Sequence, residues 1–156
     1  MSQDTYRLIS QTQAEYGRCI DDGRLEDWPG FFDEGCVYKV TTAQNHRDGL
    51  PAGLIYADSH GMLLDRVSAL RQANIYEQQN YRHIFGQPAI LSDADGEATT
   101  DTSFMVVRIM RDGKTDLFAS GRYLDRWRVT GDTAKLAERI VVCDSSRIDT
   151  LLALPL

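Results

Sequence analysis

Cysteine is scarce in this chain of 156 residues: Cys19, Cys36 and Cys143 are the whole set. Three widely spaced thiols are not the pattern of a disulfide framework, and none has another Cys or a His within four residues. A cluster or zinc site built on short Cys/His spacings is therefore not encoded here. The expected state is three reduced thiols filling core space in a cytoplasmic setting. Long apolar runs are lacking too. Stretches such as Ile140–Cys143 fall far short of the roughly 20 residues that cross a bilayer, and Met1-Ser2-Gln3-Asp4 has neither a basic nor an apolar leader region. Positive charge is in deficit, with 17 Lys and Arg against 23 Asp and Glu, a net charge of −6. That balance argues against nucleic acid and against an anionic membrane as partners. Glycine-rich phosphate loops and a Gly-x-Ser-x-Gly elbow are missing as well.

What is present is a globular composition, 42% hydrophobic and 26% charged, of a size expected to form a single domain over residues 1–156. Tyr6, Ile9, Gln13, Tyr16 and Ile20 recur at steps of three and four, predicting a helix from Asp4 as cap to the break at Asp21-Asp22-Gly23. A short helix is predicted from Leu25 to Phe32 and a strand from Cys36 to Thr41. A loop follows over residues 43–53. Leu54–Tyr56 reads as a short strand, and a helix capped by Asp58 or Ser59 runs to about Asn74 with Leu63, Val67 and Leu70 on one side. The second half reads as strands at Tyr81–Leu91 (interrupted by Gly86 and Pro88), Ser103–Arg111, Leu117–Val129 and Leu136–Cys143, with turns at residues 93–96, 112–113 and 130–132. Helices followed by an antiparallel meander define an α+β class. The expected form is a cystatin-like roll, with N-terminal helices packed on a long curved antiparallel sheet.

Such a roll can host acid–base chemistry, and Tyr16, Tyr38, Asp58, His83 and Asp144 are of the right types. Each has a plainer explanation: buried phenols that find a partner, and a structural strand histidine. Among His46, His60 and His83 no i, i+4 pair supports a metal site. No catalytic, cofactor-binding or metal residue is therefore assigned. Arg122, Arg126 and Arg128 share one side of a strand, and Tyr123, Asp125 and Trp127 the other. Arg and Trp are residues that interfaces favour, so Arg122, Arg126, Trp127 and Arg128 are expected at a subunit contact. The apolar run Leu151–Leu156 is expected to be docked on this domain or on a partner, placing Leu154 and Leu156 at the same contact.

Several segments resemble a known family. Ala52-Gly53-Leu54-Ile55-Tyr56-Ala57-Asp58-Ser59, Asp65-Arg66-Val67-Ser68-Ala69-Leu70-Arg71 and Tyr81-Arg82-His83-Ile84 resemble the β (small) subunits of Rieske non-haem iron aromatic-ring-hydroxylating dioxygenases. So do Phe118-Ala119-Ser120-Gly121-Arg122-Tyr123-Leu124-Asp125, the run Glu138–Ser145, and Asp149–Leu156. The resemblance implies a nuclear-transport-factor-2-like roll, association with a large α subunit, commonly as α3β3, and a reductase that supplies electrons. It also places the 2Fe–2S Rieske cluster and the mononuclear Fe(II) in α, leaving β a mainly structural part of an oxygenase for an aromatic carboxylic acid.

Overall fold

The computed structural model describes residues 3–50, 53–73, 79–145 and 154–156. Helix α1 (Gln3–Asp21) turns Ile9, Gln13, Tyr16 and Ile20 inward, the face its apolar spacing predicts. Asp4, expected as the cap, instead stands in the first turn. There its carboxylate faces the positive end of the helix dipole. At the other end Gly23 adopts φ +75°. Its N–H bonds to Ile20 O, and the Arg24 N–H reaches back to Cys19 O. This paired closure satisfies the last carbonyls and needs a left-handed residue, so the Gly sets where α1 stops.

Leu25–Phe31 is a 3-10 helix rather than an α-helix; Pro29 inside it has no amide to donate. Strand β1 (Phe32–Thr42) follows, then the one-turn helix α2 (Ala43–Arg47) inside the expected loop, then β2 (Ile55–Ala57). Helix α3 (His60–Ala73) starts where the Met62 N–H donates to Ser59 Oγ at 3.2 Å. This is the bond a Ser cap makes. Leu63 and Val67 are its buried residues, with Leu70 partly buried beside them. Arg71 ties α3 to the 3-10 helix, donating twice to Glu26 and once to Gly23 O.

The remaining strands are β3 (Gln79–Phe85), β4 (Ala89–Ala94), β5 (Glu97–Met110), β6 (Thr115–Thr130) and β7 (Thr133–Cys143). The run predicted over Tyr81–Leu91 is thus two strands. Both lie on the same side of β5, β3 against residues 104–110 and β4 against 97–101. The sheet order is β2-β1-β7-β6-β5-β3, with β4 also on β5. One seam corrects the expected all-antiparallel sheet: β1 and β7 run parallel, with Tyr38 opposite Arg139 and Val40 opposite Val141. The whole intervening chain is spent before β7 returns beside β1, which is the long connection a parallel pair requires.

The curved sheet wraps α1, so the core is the space between its inner face and the helices. Tyr38 and Val40 of β1, Tyr81 and His83 of β3, Phe104 and Val106 of β5, Tyr123 and Trp127 of β6, and Val141 of β7 all point there. Among the described residues of the apolar run, Leu154 and Leu156 are 7% and 0% exposed, docked on this same core; residues 151–153 lie outside the described residues. Strand β7 leaves no room for a side chain at Gly121 of β6, where an added Cβ would lie 2.0 Å from the Val142 carbonyl oxygen. Main chain cannot yield as a side-chain tip can. Gly121→Ala is therefore expected to destabilise the fold by about 3 kcal/mol or more, read as a lower denaturant midpoint; an unchanged midpoint would contradict this close approach.

Candidate functional site

The interior of the roll is the place where a ligand-binding or catalytic centre would sit, and an ion pair fills it. Asp125 of β6 and Arg139 of β7 stand directly opposite in the antiparallel register. Arg139 Nε donates to Asp125 Oδ1 and Nη2 to Oδ2, both at 2.8 Å. Neither side chain touches solvent. Nη2 also donates to Gln13 Oε1 of α1, whose amide nitrogen in turn donates to Thr102 Oγ1 at 3.2 Å. The guanidinium carbon lies 3.8 Å from the Tyr123 ring centroid and 4.4 Å from that of Tyr16, so two π faces add to the two carboxylate bonds. Burial alone would lower the guanidinium. Asp125 opposes this with its charge and its hydrogen bonds, and holds Arg139 above its already high ordinary value. Burial likewise pushes the Asp125 carboxyl up from its ordinary value against the pull of the Arg139 charge and hydrogen bonds, so each partner's charge depends on the other.

Aromatic rings close the rest of the space. Tyr123 stacks on Phe104 at 4.5 Å, and Trp28, Phe32 and Tyr38 meet edge to face at 5.1–5.7 Å. The Trp127 indole N–H donates to Thr100 Oγ1 at 2.9 Å. The Tyr16 and Tyr38 hydroxyls both donate to Leu156 O, at 2.8 and 3.1 Å. Burial pushes the Tyr16 phenol up and the Tyr38 and Tyr123 phenols well up from their usual value. Burial likewise raises Cys19 to about 11 and Cys143 to about 12, leaving these thiols protonated and inert.

The five acid–base candidates are not brought together. Tyr16 and Tyr38 meet at Leu156. His83 is buried elsewhere, its Nδ1 2.7 Å from Asp21 Oδ1 and its backbone N–H donating to Asp21 Oδ2 at 2.9 Å. This joins the end of α1 to β3. Asp58 is exposed ahead of α3. Asp144 is exposed and accepts from Ser120 Oγ. His46 lies exposed on α2, away from His83 in the core. Among the described residues no three His, Cys, Asp or Glu side chains gather as a metal-binding group.

The expected contact residues separate into two sets. Arg122, Arg126 and Arg128 point outward from β6, where they pair with Asp101, Glu97 and Asp33. Trp127, Leu154 and Leu156 are instead packed inside this chain. Their apolar surface has already left water, so the expectation of a direct subunit contact is corrected for these three. Arg139, Asp125 and Gln13 were missed. For the two charges the signal was strand parity, Asp125 sharing a face with Tyr123 and Trp127 and Arg139 with Val141; for Gln13 it was its place on the inward helical stripe of α1 with Ile9, Tyr16 and Ile20.

Arg139→Met leaves a buried carboxylate without its cation and is expected to cost about 3–5 kcal/mol. Arg139→Met with Asp125→Leu is expected to recover much of that loss. Chemical denaturation of the two single variants and the double variant checks this, and strictly additive losses would contradict a coupled pair. The phenols give a pH test. An unfolded chain ionises its tyrosines near pH 10, whereas Tyr16, Tyr38 and Tyr123 hold their protons above that in the fold. The folded state then binds more protons, so stability falls as pH rises past about 10. Ultraviolet titration is expected to show these three phenols ionising together with the loss of helix signal, not before it.

A family model described as the ring hydroxylating beta subunit matches residues 16–150. The chain is 51% identical over 148 residues to a terephthalate 1,2-dioxygenase terminal oxygenase β subunit from Comamonas sp, covering 95% of this chain and 96% of that one. It is 38% identical over 152 residues to the anthranilate 1,2-dioxygenase small subunit of Burkholderia cepacia, covering 97% and 94%. A crystal structure from Novosphingobium aromaticivorans, of a β subunit assigned to an aromatic-ring-hydroxylating dioxygenase, superposes with TM-score 0.91 at 40% identity, covering 99% and 98%.

Proposed function

The chain belongs to the family of ring-hydroxylating dioxygenase β subunits, and from that premise we propose that it serves an oxygenase that dihydroxylates terephthalate or a close aromatic dicarboxylate. The observation that carries this reading is the 51% identity across nearly the full length of the terephthalate relative. As a β subunit it is the non-catalytic part of an oxidoreductase, and catalysis sits in the α subunit. The interior agrees with that division of labour, because the Arg139–Asp125 pair and its aromatic lining occupy the space a substrate would need.

On this reading the α partner holds the 2Fe–2S Rieske cluster and the mononuclear Fe(II). Electrons reach it from NADH or NADPH through a reductase, and the subunits assemble as α3β3 in the cytoplasm. Among the described residues no helix is long and apolar enough to cross a membrane. Arg122, Arg126 and Arg128 are the outward residues we assign to a subunit contact. Their present partners are exposed or half-exposed carboxylates, and such pairs hold only about 0–1 kcal/mol each. Exchanging them for carboxylates on a neighbouring subunit is therefore cheap.

Co-expression of this chain with the α subunit of its own oxygenase tests the proposal. A stable brown complex is expected, with reductase-dependent oxygen uptake fastest on terephthalate. Arg126→Ala is expected to leave the melting temperature of the lone chain nearly unchanged while weakening association, measured by size-exclusion chromatography with light scattering. Fastest uptake on salicylate would reassign the chain to the small subunit of salicylate 5-hydroxylase. Turnover of an aromatic substrate by the chain alone would favour a stand-alone isomerase or dehydratase.

A further inference from the structure

A groove of about 440 Å³ opens to solvent where α1, the 3-10 helix and the turn between β6 and β7 meet. Its floor is apolar, formed by Leu8, Phe31 and Ala134. Leu8 and Phe31 pack against the core on one side and stay partly wet on the other. Phe31 is held by an edge-to-face contact with Tyr16 at 5.5 Å. The walls are acidic: Glu15 of α1, Asp27 of the 3-10 helix and Asp132 of the turn stand against one cation, Lys135. That cation is already engaged, its ammonium donating to Gly30 O. Glu15 and Asp27 have loose partners in their own chain, Arg18 at 3.4 Å and Arg24 at 3.9 Å, and all four side chains are at least 42% exposed. Arg24 is shared with Asp22. Exposed pairs of this kind hold little, so both carboxylates are open to a better-placed cation. The groove also continues the contact assigned to the β6 arginines, because Lys135 stands opposite Arg128 in the β6–β7 register.

We propose that this groove seats a segment of the α subunit that carries Lys or Arg side chains on either side of a bulky apolar one. The proposal rests on the reading of the chain as a β subunit. The occupant follows from charge and shape. The floor takes the apolar side chain, and the three carboxylates around it take the cations. A groove built from three elements and open to water holds a length of chain rather than an enclosed small molecule. A second copy of this chain, itself of net charge −6, is a poor occupant. The α surface expected here is therefore acidic over the β6 arginines and basic over the groove.

The test measures association of the full chain with the purified α subunit of its own oxygenase, by interferometry. It is run at low salt and at about 0.5 M, where a Debye length of about 4 Å screens exposed charges. One variant combines Glu15→Lys, Asp27→Lys and Asp132→Lys. A control of the same net charge combines Asp48→Lys, Asp58→Lys and Asp65→Lys, all at exposed positions. The groove variant is expected to lose about 10- to 100-fold in affinity at low salt, mainly through slower association, with the gap narrowing at high salt. The control is expected to match wild type. If the groove variant fails to fold, Glu15→Gln with Asp27→Asn and Asp132→Asn decides, with an expected loss of about fivefold. A photo-crosslinking residue placed at Gln11, exposed on the groove wall, is expected to capture an α peptide with Lys or Arg around an apolar side chain. Equal affinity of groove variant and wild type would overturn the proposal, as would an equal loss in the control or capture of an acidic peptide or a second copy of this chain. Wild type that fails to bind α removes the β-subunit reading along with the groove. Wild type that binds α and supports oxygen uptake, with groove variants binding as well, removes the groove alone.

Discussion

The arrangement of this roll turns on one buried ion pair. Arg139 and Asp125 face each other across β6 and β7 with no access to water. Removing both charges from water costs several kcal/mol per ion, and their attraction recovers that only when geometry and further hydrogen bonds are good. Here the geometry is bidentate, Gln13 supplies a further acceptor, and two tyrosine rings stack on the cation. What such a pair contributes best is selection among alternatives. A slip of one residue between β6 and β7 would turn one partner outward and strand the other inside. Rotation of α1 by a few positions would withdraw Gln13. The pair therefore fixes strand register and helix rotation together.

A core committed in this way leaves the outside of the sheet to do the chain's work. The three arginines of β6 each meet a carboxylate of their own chain, at half-exposed positions where the ionic gain is small. Such pairs keep a protein of net charge −6 from presenting an unbalanced row of cations. On the proposed subunit contact, they are also pairs that can be exchanged at low cost. Inside, charge is locked and specific; outside, it is paired and replaceable. That division suits a subunit whose contribution to an oxygenase is shape and assembly.

The local parts of the fold were legible because they rest on local patterns. The inward face of α1, the Leu63–Val67–Leu70 stripe of α3 and the turns at residues 95–96 and 131–132 follow from periodicity and turn chemistry. The parallel β1–β7 seam was not legible, since nothing in either strand marks a partner roughly 100 residues away. The split of Tyr81–Leu91 into two strands on one side of β5 was half-visible in Gly86 and Pro88, but where the two pieces pair is a tertiary matter. Trp127 shows the opposite error. Its residue type favoured an interface, while its place in the alternation with Tyr123 and Asp125 already put it inside. Arg139 was overlooked because an arginine in a strand is first taken as outward, although its parity matches Val141.

Tyr16 joins the two unusual features of the interior. Its ring lies against the Arg139 guanidinium, and its hydroxyl donates to Leu156 O. Burial and the neighbouring charge act on the same phenol from opposite directions, burial raising it and Arg139 lowering it. A Tyr16 swung away from Leu156 would also uncover the cation, so the segment at residues 154–156 and the ion pair are held by one side chain. Leaving either unmatched would strand a polar group in a nearly dry space, at a cost of about 1–3 kcal/mol for a neutral group and more for a charged one. The leucine segment, the phenols and the charge pair therefore behave as one packed unit, with α1 as the element that carries both Gln13 and Tyr16 into it.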